Sequence, residues 1–253
     1  MKLVIVGGVA GGATAAARAR RLSEDAEIVV FERGPDVSFA NCGLPYHIGG
    51  VIPDREKLLV ITPERLRARF RLDVRTLTSV ERIDCATKGL VVRDLRTGRE
   101  YAERYDKLIL APGAAPLRPP IPGTDLPNVF TLRSLADTDR IKAAVDAGVR
   151  QAMVVGAGYI GLELAENLVH RGIATTVVER NRQVLSPFDV EMTTPLADRL
   201  RKKGVRLLLG NIVEGIFPGP DGVRRRSSGS ARRTARCTST RRTTPGTTQA
   251  PRG

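Results

Sequence analysis

Residues 151–179 read QAMVVGAGYIGLELAENLVHRGIATTVVE. The short apolar run Gln151–Val155 predicts a buried parallel strand. Gly156, Gly158 and Gly161 then fill G-x-G-x-x-G, with Tyr159 and Ile160 inside the turn. A helix is expected over Leu162–Arg171 and a second strand over Thr175–Glu179. Each glycine has its own task in such a turn. Gly156 permits the sharp bend, Gly158 lets a pyrophosphate approach the backbone, and Gly161 lets helix and strand touch. The helix N-terminus offers free N–H groups and a favourable dipole to phosphate. Glu179 ends the second strand, where a carboxylate accepts ribose hydroxyls. This stretch therefore predicts a dinucleotide-binding βαβ unit.

The same grammar opens the chain. Lys2–Val6 reads as a buried strand, Ala13–Leu22 as a helix and Glu27–Phe31 as a second strand, with Glu32 at its end. Gly7 and Gly12 hold the outer turn positions, but Val9 takes the middle one. Taken alone, this is a plain tight turn. Its context restores the nucleotide reading, with Gly7, Gly8, Val9, Ala10, Gly11, Gly12, Glu32 and Arg33 as the expected contacts. The two units lie roughly 150 residues apart, a duplication rather than a solenoid of short period. Two such units point to two dinucleotides, usually a flavin that takes a hydride and a nicotinamide that brings it.

Between the units, residues 34–63 read as irregular, with four prolines around Cys42. Pro63–Arg71 is expected to be a basic surface helix and 72–105 a strand meander with a Thr97-Gly98 turn. Lys107–Leu110 is another buried strand, ending in Ala111-Pro112-Gly113. A proline-rich linker, 116–127, precedes a helix over 134–147. The fold class is α/β, with two Rossmann-like three-layer domains: an FAD-binding domain over 1–113 and an NAD(P)-binding domain over 114–223. Both are expected to be incomplete on their C-terminal sides. Residues 224–253 lack Leu, Ile, Val, Phe and Met, so they are expected to form a disordered tail.

The net charge of +14 resembles that of a nucleic-acid binder. Nine of the arginines lie in 224–253, which has no acid; the other 223 residues carry 32 basic and 27 acidic side chains. No aromatic residue is interleaved with those arginines to stack bases, so a nucleic-acid partner is not favoured. The three cysteines form no C-x-x-C, and no Cys/His cluster has ligand spacing, so no metal is expected. Cys85 is read as buried and inert. His47 and His170 are read as surface or packing residues rather than bases. The N-terminal apolar run is too short for a signal peptide or membrane span, so a cytoplasmic location is expected.

VSFANCGLPYHIGG, residues 37–50, is the most specific stretch. It resembles the redox-active segment of the single-cysteine pyridine nucleotide-disulfide oxidoreductases, and within them the coenzyme A-disulfide reductase branch. FERG at 31–34, YDKLILAPGAAP at 105–116 and TLRSLADTD at 131–139 extend the resemblance to about residue 223. It implies that NADH or NADPH reduces FAD, which reduces Cys42, the catalytic thiol. Ala111, Pro112 and Gly113 join the implied cofactor contacts. Thr14, Arg21, Ser38 and Asn41 are the implied contacts to the substrate, coenzyme A disulfide or a related small disulfide. A helix starting at Leu44, with Pro45 in its first turn, suits a nucleophilic thiol at its N-terminal side. An NADH oxidase or peroxidase working through a Cys42 sulfenic acid is the alternative. The resemblance also implies a homodimer whose dimerisation domain follows the stretch present here. The change of composition near 218–223 reads as truncation or a shifted reading frame, leaving an inactive nucleotide-binding fragment as a further alternative.

Overall fold

The computed structural model describes residues 1–219 and 222–226. The first unit runs β1 (Lys2–Val6), α1 (Gly11–Leu22), β2 (Glu27–Phe31), α2 (Leu44–Ile48) and α3 (Pro63–Phe70). It continues through β3 (Asp73–Arg75), β4 (Thr78–Asp84), β5 (Gly89–Asp94), β6 (Glu100–Arg104) and β7 (Lys107–Leu110). Strands β3-β2-β1-β7 form one parallel sheet, and β4-β5-β6 form an antiparallel meander.

Alternation along the strands separates the two faces of the first sheet. Leu3, Ile5, Ile28, Val30 and Val74 pack with Ala15, Ala16 and Ala19 of α1. Small side chains let that helix come close. Val4, Val29 and Phe31 face the other way, onto Leu90 and Val92 of the meander. Helix, sheet and meander make three layers. Val4 and Val29 are fully buried, each contributing roughly 1.5–3 kcal/mol relative to exposure. A charge at either position would break the sheet–meander contact.

The second unit runs α4 (Leu135–Asp146), β8 (Gln151–Val155), α5 (Tyr159–His170), β9 (Ala174–Glu179), α6 (Val190–Lys202) and β10 (Arg206–Leu209). Its parallel sheet has the order β10-β9-β8. Val154 and Val177 pack with Ile141 of α4, Leu162 and Leu168 of α5, and Leu200 of α6. Met153 and Val155, which alternate with Val154 along β8, stay 41% and 56% exposed. Among the described residues β8 pairs with β9 alone.

A hairpin of β11 (Gly215–Gly219) and β12 (Gly222–Arg226) ends the described chain. The tail expected to lack structure from residue 224 therefore begins with three residues, 224–226, paired to β11. The rest of that tail, 227–253, lies outside the described residues. The two nucleotide-turn helices start earlier than expected, at Gly11 and Tyr159 rather than at 13 and 162. The turn itself supplies the first helical residues, Gly11 and Gly12 in one unit and Tyr159 and Ile160 in the other.

The Cys42 segment joins the units. Ile48 of α2 is fully buried in the second unit's core, and Leu135 of α4 packs with Phe39, Leu44 and Leu58. Gly49 leaves room for α5: a Cβ there would lie 2.1 Å from Asn167 Oδ1. Arg55 pairs with Asp139 of α4 at 2.9 Å.

Candidate active site

The two glycine turns repeat one geometry. Gly7 and Gly156 adopt φ of +97° and +105°, and their N–H groups donate to Phe31 O and Val178 O, both at 2.8 Å. A Cβ on Gly12 would lie 1.7 Å from Gly7 O, and one on Gly161 2.2 Å from Gly156 O. Strand and helix touch at these glycines, so only hydrogen fits.

The acids also correspond. Glu32 Oε2 accepts the Gly8 amide at 2.7 Å and Oε1 the Gly34 amide at 2.8 Å. Glu179 Oε2 accepts the Ala157 amide and Oε1 the Asn181 amide, both at 2.8 Å. Each carboxylate fastens its turn to the strand that follows. Each oxygen keeps lone-pair capacity for a ribose hydroxyl. The glycine cradles and the paired acids fit two dinucleotides.

The turns differ in the middle. Around the Cβ position of Gly158 nothing lies within 4 Å. Val9 instead packs against the Phe39, Leu44, Leu58 and Leu135 cluster. The residue that spoils the strict motif thus contacts the Cys42 segment. Of the other expected contacts, Arg33 and Pro112 are exposed. Ala10 is the N-cap of α1, and Gly11 is its exposed first residue. Ala111 continues β7, its amide donating to Val6 O at 2.8 Å. Its carbonyl lies 2.0 Å from where a Gly7 Cβ would stand. Tyr159 and Ile160 are 60% and 56% exposed at the start of α5, with Tyr159 edge-on to Phe188 at 6.3 Å.

Cys42 lies in a single 3-10 turn, Asn41–Gly43, that runs into α2 with Pro45 in its first turn. Its thiol is exposed. Ser38 takes a left-handed φ of +48°, a strained conformation for a non-glycine residue. Its amide donates to Gly8 O at 3.1 Å, and its carbonyl accepts Val60 N at 2.9 Å. The Cys42 segment is thereby tied to the first glycine turn. Thr14 and Arg21 lie two turns apart on one face of α1, both exposed. Among the described residues neither has a side-chain hydrogen bond or ion pair to the Cys42 segment. Asn41 does have a partner: its Oδ1 accepts Arg133 Nη1 at 3.0 Å.

Arg133 stands inside TLRSLADTD, where nothing local marks it for a role at the site beyond its position before Ser134, the N-cap of α4. His47 is buried, with Nδ1 2.7 Å from Ile52 O, a packing role. Cys85 corrects the expectation of burial: it is exposed, in the tight turn between β4 and β5. Among the described residues no helix is long and apolar enough to cross a membrane.

Paired dinucleotide turns, with a lone sulfur on a segment fastened to the first, define the class of two-nucleotide redox proteins. The chain belongs to the pyridine nucleotide-disulphide oxidoreductase family, whose sequence pattern matches residues 1–235. The coenzyme A disulfide reductase of Staphylococcus aureus strain JH9 is 40% identical over 216 residues, 85% of this chain and 49% of the relative. The structure of reduced CoADR-RHD from Bacillus anthracis superposes with a TM-score of 0.85 at 48% identity, over 90% of this chain and 41% of that one. The water-forming NADH oxidase of Lactobacillus brevis, bound to NADH, gives 0.85 at 32% identity, over 90% and 50%. The chain spans about half the length of the curated relatives it matches. Proteins of this family use FAD with NADH or NADPH.

Proposed function

We propose that this chain carries the two nucleotide turns and the thiol of a disulfide reductase. With FAD bound, electrons from NADH or NADPH would reach Cys42 and pass on to a small disulfide of the coenzyme A class. The observation that carries this reading is the tie between Ser38 and Gly8, reinforced by Val9 against Phe39 and Leu44. These contacts hold the segment bearing the exposed sulfur against the turn read as the flavin site.

FAD, when bound, supplies a two-electron relay between a hydride donor and a thiol. The chain's own residues do the rest. The turns at 7–12 and 156–161 take the pyrophosphates, and Glu32 and Glu179 take ribose hydroxyls. Cys42 as thiolate attacks one sulfur of the substrate disulfide. That S–S bond breaks, a mixed disulfide forms, and the other half leaves as a thiolate that takes a proton. With FAD and NAD(P)H bound, two electrons would reach the mixed disulfide, whose S–S bond would break to release the second half as a thiol and restore the Cys42 thiolate. The balance is one NAD(P)H, one proton and one disulfide giving NAD(P)+ and two thiols. Thr14, Arg21, Ser38 and Asn41 are the proposed substrate contacts. Glu179 disfavours a 2′-phosphate, whereas exposed Arg180 and Arg182 favour one. The nicotinamide is therefore named as NADH or NADPH.

The likeness to an NADH oxidase supports a second reading, in which Cys42 cycles through sulfenic acid. The test is purification, addition of FAD and an absorbance spectrum, followed by assays with both nicotinamides. A yellow protein bleached by NADH or NADPH, reducing coenzyme A disulfide and losing that activity in Cys42→Ser, supports the first reading. Consumption of oxygen or peroxide alone favours the second. A colourless protein that ignores FAD overturns both and leaves an inert nucleotide-binding fragment.

A further inference from the structure

We propose that Arg133 is the positioning residue of the Cys42 segment, acting through Asn41. The idea rests on Cys42 being the reactive thiol, as argued above.

Arg133 is held at three points. Its backbone amide donates to Asp137 Oδ2 at 3.1 Å, within the capping box of α4. Its Nε donates to Ala114 O at 2.8 Å, and its Nη1 to Asn41 Oδ1 at 3.0 Å. Gly113 makes the space: a Cβ there would sit 2.6 Å from Nη2. One guanidinium therefore fastens the segment that follows β7, at Ala114, and the residue preceding Cys42.

The chemistry of the pair fixes a direction. A guanidinium has donors and no acceptor, so it meets the Asn41 amide at its oxygen. The amide nitrogen is turned away from Arg133, and among the described residues its two N–H donors have no protein acceptor. Arg133 also brings a cationic guanidinium onto Asn41, the residue that precedes Cys42 in the chain. Charge and unspent donors together favour anionic groups approaching Cys42.

The test compares alkylation of Cys42 in the full chain by iodoacetate, an anion, and by neutral iodoacetamide at one pH. Peptide mass spectrometry separates Cys42 from Cys85 and Cys237. Both reagents need the same thiolate, so the ratio of their rates reports local charge and orientation rather than ionisation. Arg133→Gln is expected to lower the iodoacetate-to-iodoacetamide ratio by about threefold or more, an effect that shrinks with added salt. Arg133→Lys, which keeps the charge but loses the fork, is expected to recover part of it. In an Asn41→Ala background, Arg133→Gln is expected to have less effect on the ratio. An unchanged ratio in Arg133→Gln, with wild-type circular dichroism, overturns the proposal. If Arg133→Gln does not fold, Arg133→Lys decides: a ratio equal to wild type, unmoved by Asn41→Ala, also overturns it. A lowered ratio in a chain without reductase activity defeats the proposed function and leaves the role of Arg133 standing.

Discussion

The two glycine turns share a backbone and differ in what surrounds them. In the first, β7 lies beside β1, the carbonyl of Ala111 crowds Gly7, and Val9 reaches into the Cys42 segment. In the second, β8 has no neighbour on that side among the described residues, and the Cβ positions of Gly156 and Gly158 meet nothing within 4 Å. One turn is embedded in its own chain and the other is open. Sequence motif and surroundings are thus separable, and substitutions at matched positions divide backbone strain, packing and ligand contact.

The largest effect is expected where the turns are alike. Gly12→Val and Gly161→Val each force a side chain into a carbonyl, and each should lower the unfolding free energy by about 3 kcal/mol. Equal losses in urea denaturation would uphold the shared backbone; tolerance at either site would break it. The next pair separates the turns. Gly7→Ala meets both positive-φ strain and Ala111 O at 2.0 Å, whereas Gly156→Ala meets strain alone. The second should cost about 1–2 kcal/mol and the first clearly more. Identical costs would show that the Ala111 contact relaxes freely.

A third pair tests the middle position. Gly158→Val should destabilise by about 1 kcal/mol or less through a poorer N-cap, yet weaken nicotinamide nucleotide binding by about tenfold or more, because the pyrophosphate needs that space. Val9→Gly should do the reverse at the first turn, losing about 1 kcal/mol of packing without weakening FAD. Calorimetric titration beside denaturation reads both. The smallest effect concerns Asp137. Burial opposes its charged form, but hydrogen bonds from Ser134 and Arg140 outweigh that and hold its carboxyl below the ordinary 3.8. Its contribution is full above 3.8 and fades as pH falls through the lower folded-state value. Asp137→Asn should cost about 0.5–1 kcal/mol at pH 7, and the gap to wild type should close in strong acid.

Much of this was legible along the chain because it depends on local order. Strand, glycine turn, helix, strand and acid appear in both units, and the helix after Cys42 spans Leu44–Ile48. What escaped depends on distant neighbours. Arg20 looks like one more charge between Arg18 and Arg21, yet it is buried and donates to the carbonyls of Phe70, Arg71, Ser23 and Glu24. Val9 reads as a defect until Phe39 and Leu44 fold back against it. Arg133 and Asn41 stand 92 positions apart, and nothing local marks them as partners. Thr14 and Arg21 illustrate the converse, since residues named by resemblance sit on α1 with, among the described residues, no side-chain hydrogen bond or ion pair to the thiol segment.

The margin of β8 that no described strand covers bears on how the protein behaves in a tube. Among the described residues its outer amides and carbonyls have no strand partner, and with Met153 and Val155 beside them they are a template for another copy's strand. Self-association should therefore rise with concentration and with prolonged storage. Met153→Lys, a gatekeeper charge on that margin, should raise the concentration at which light scattering sets in while leaving both glycine turns intact.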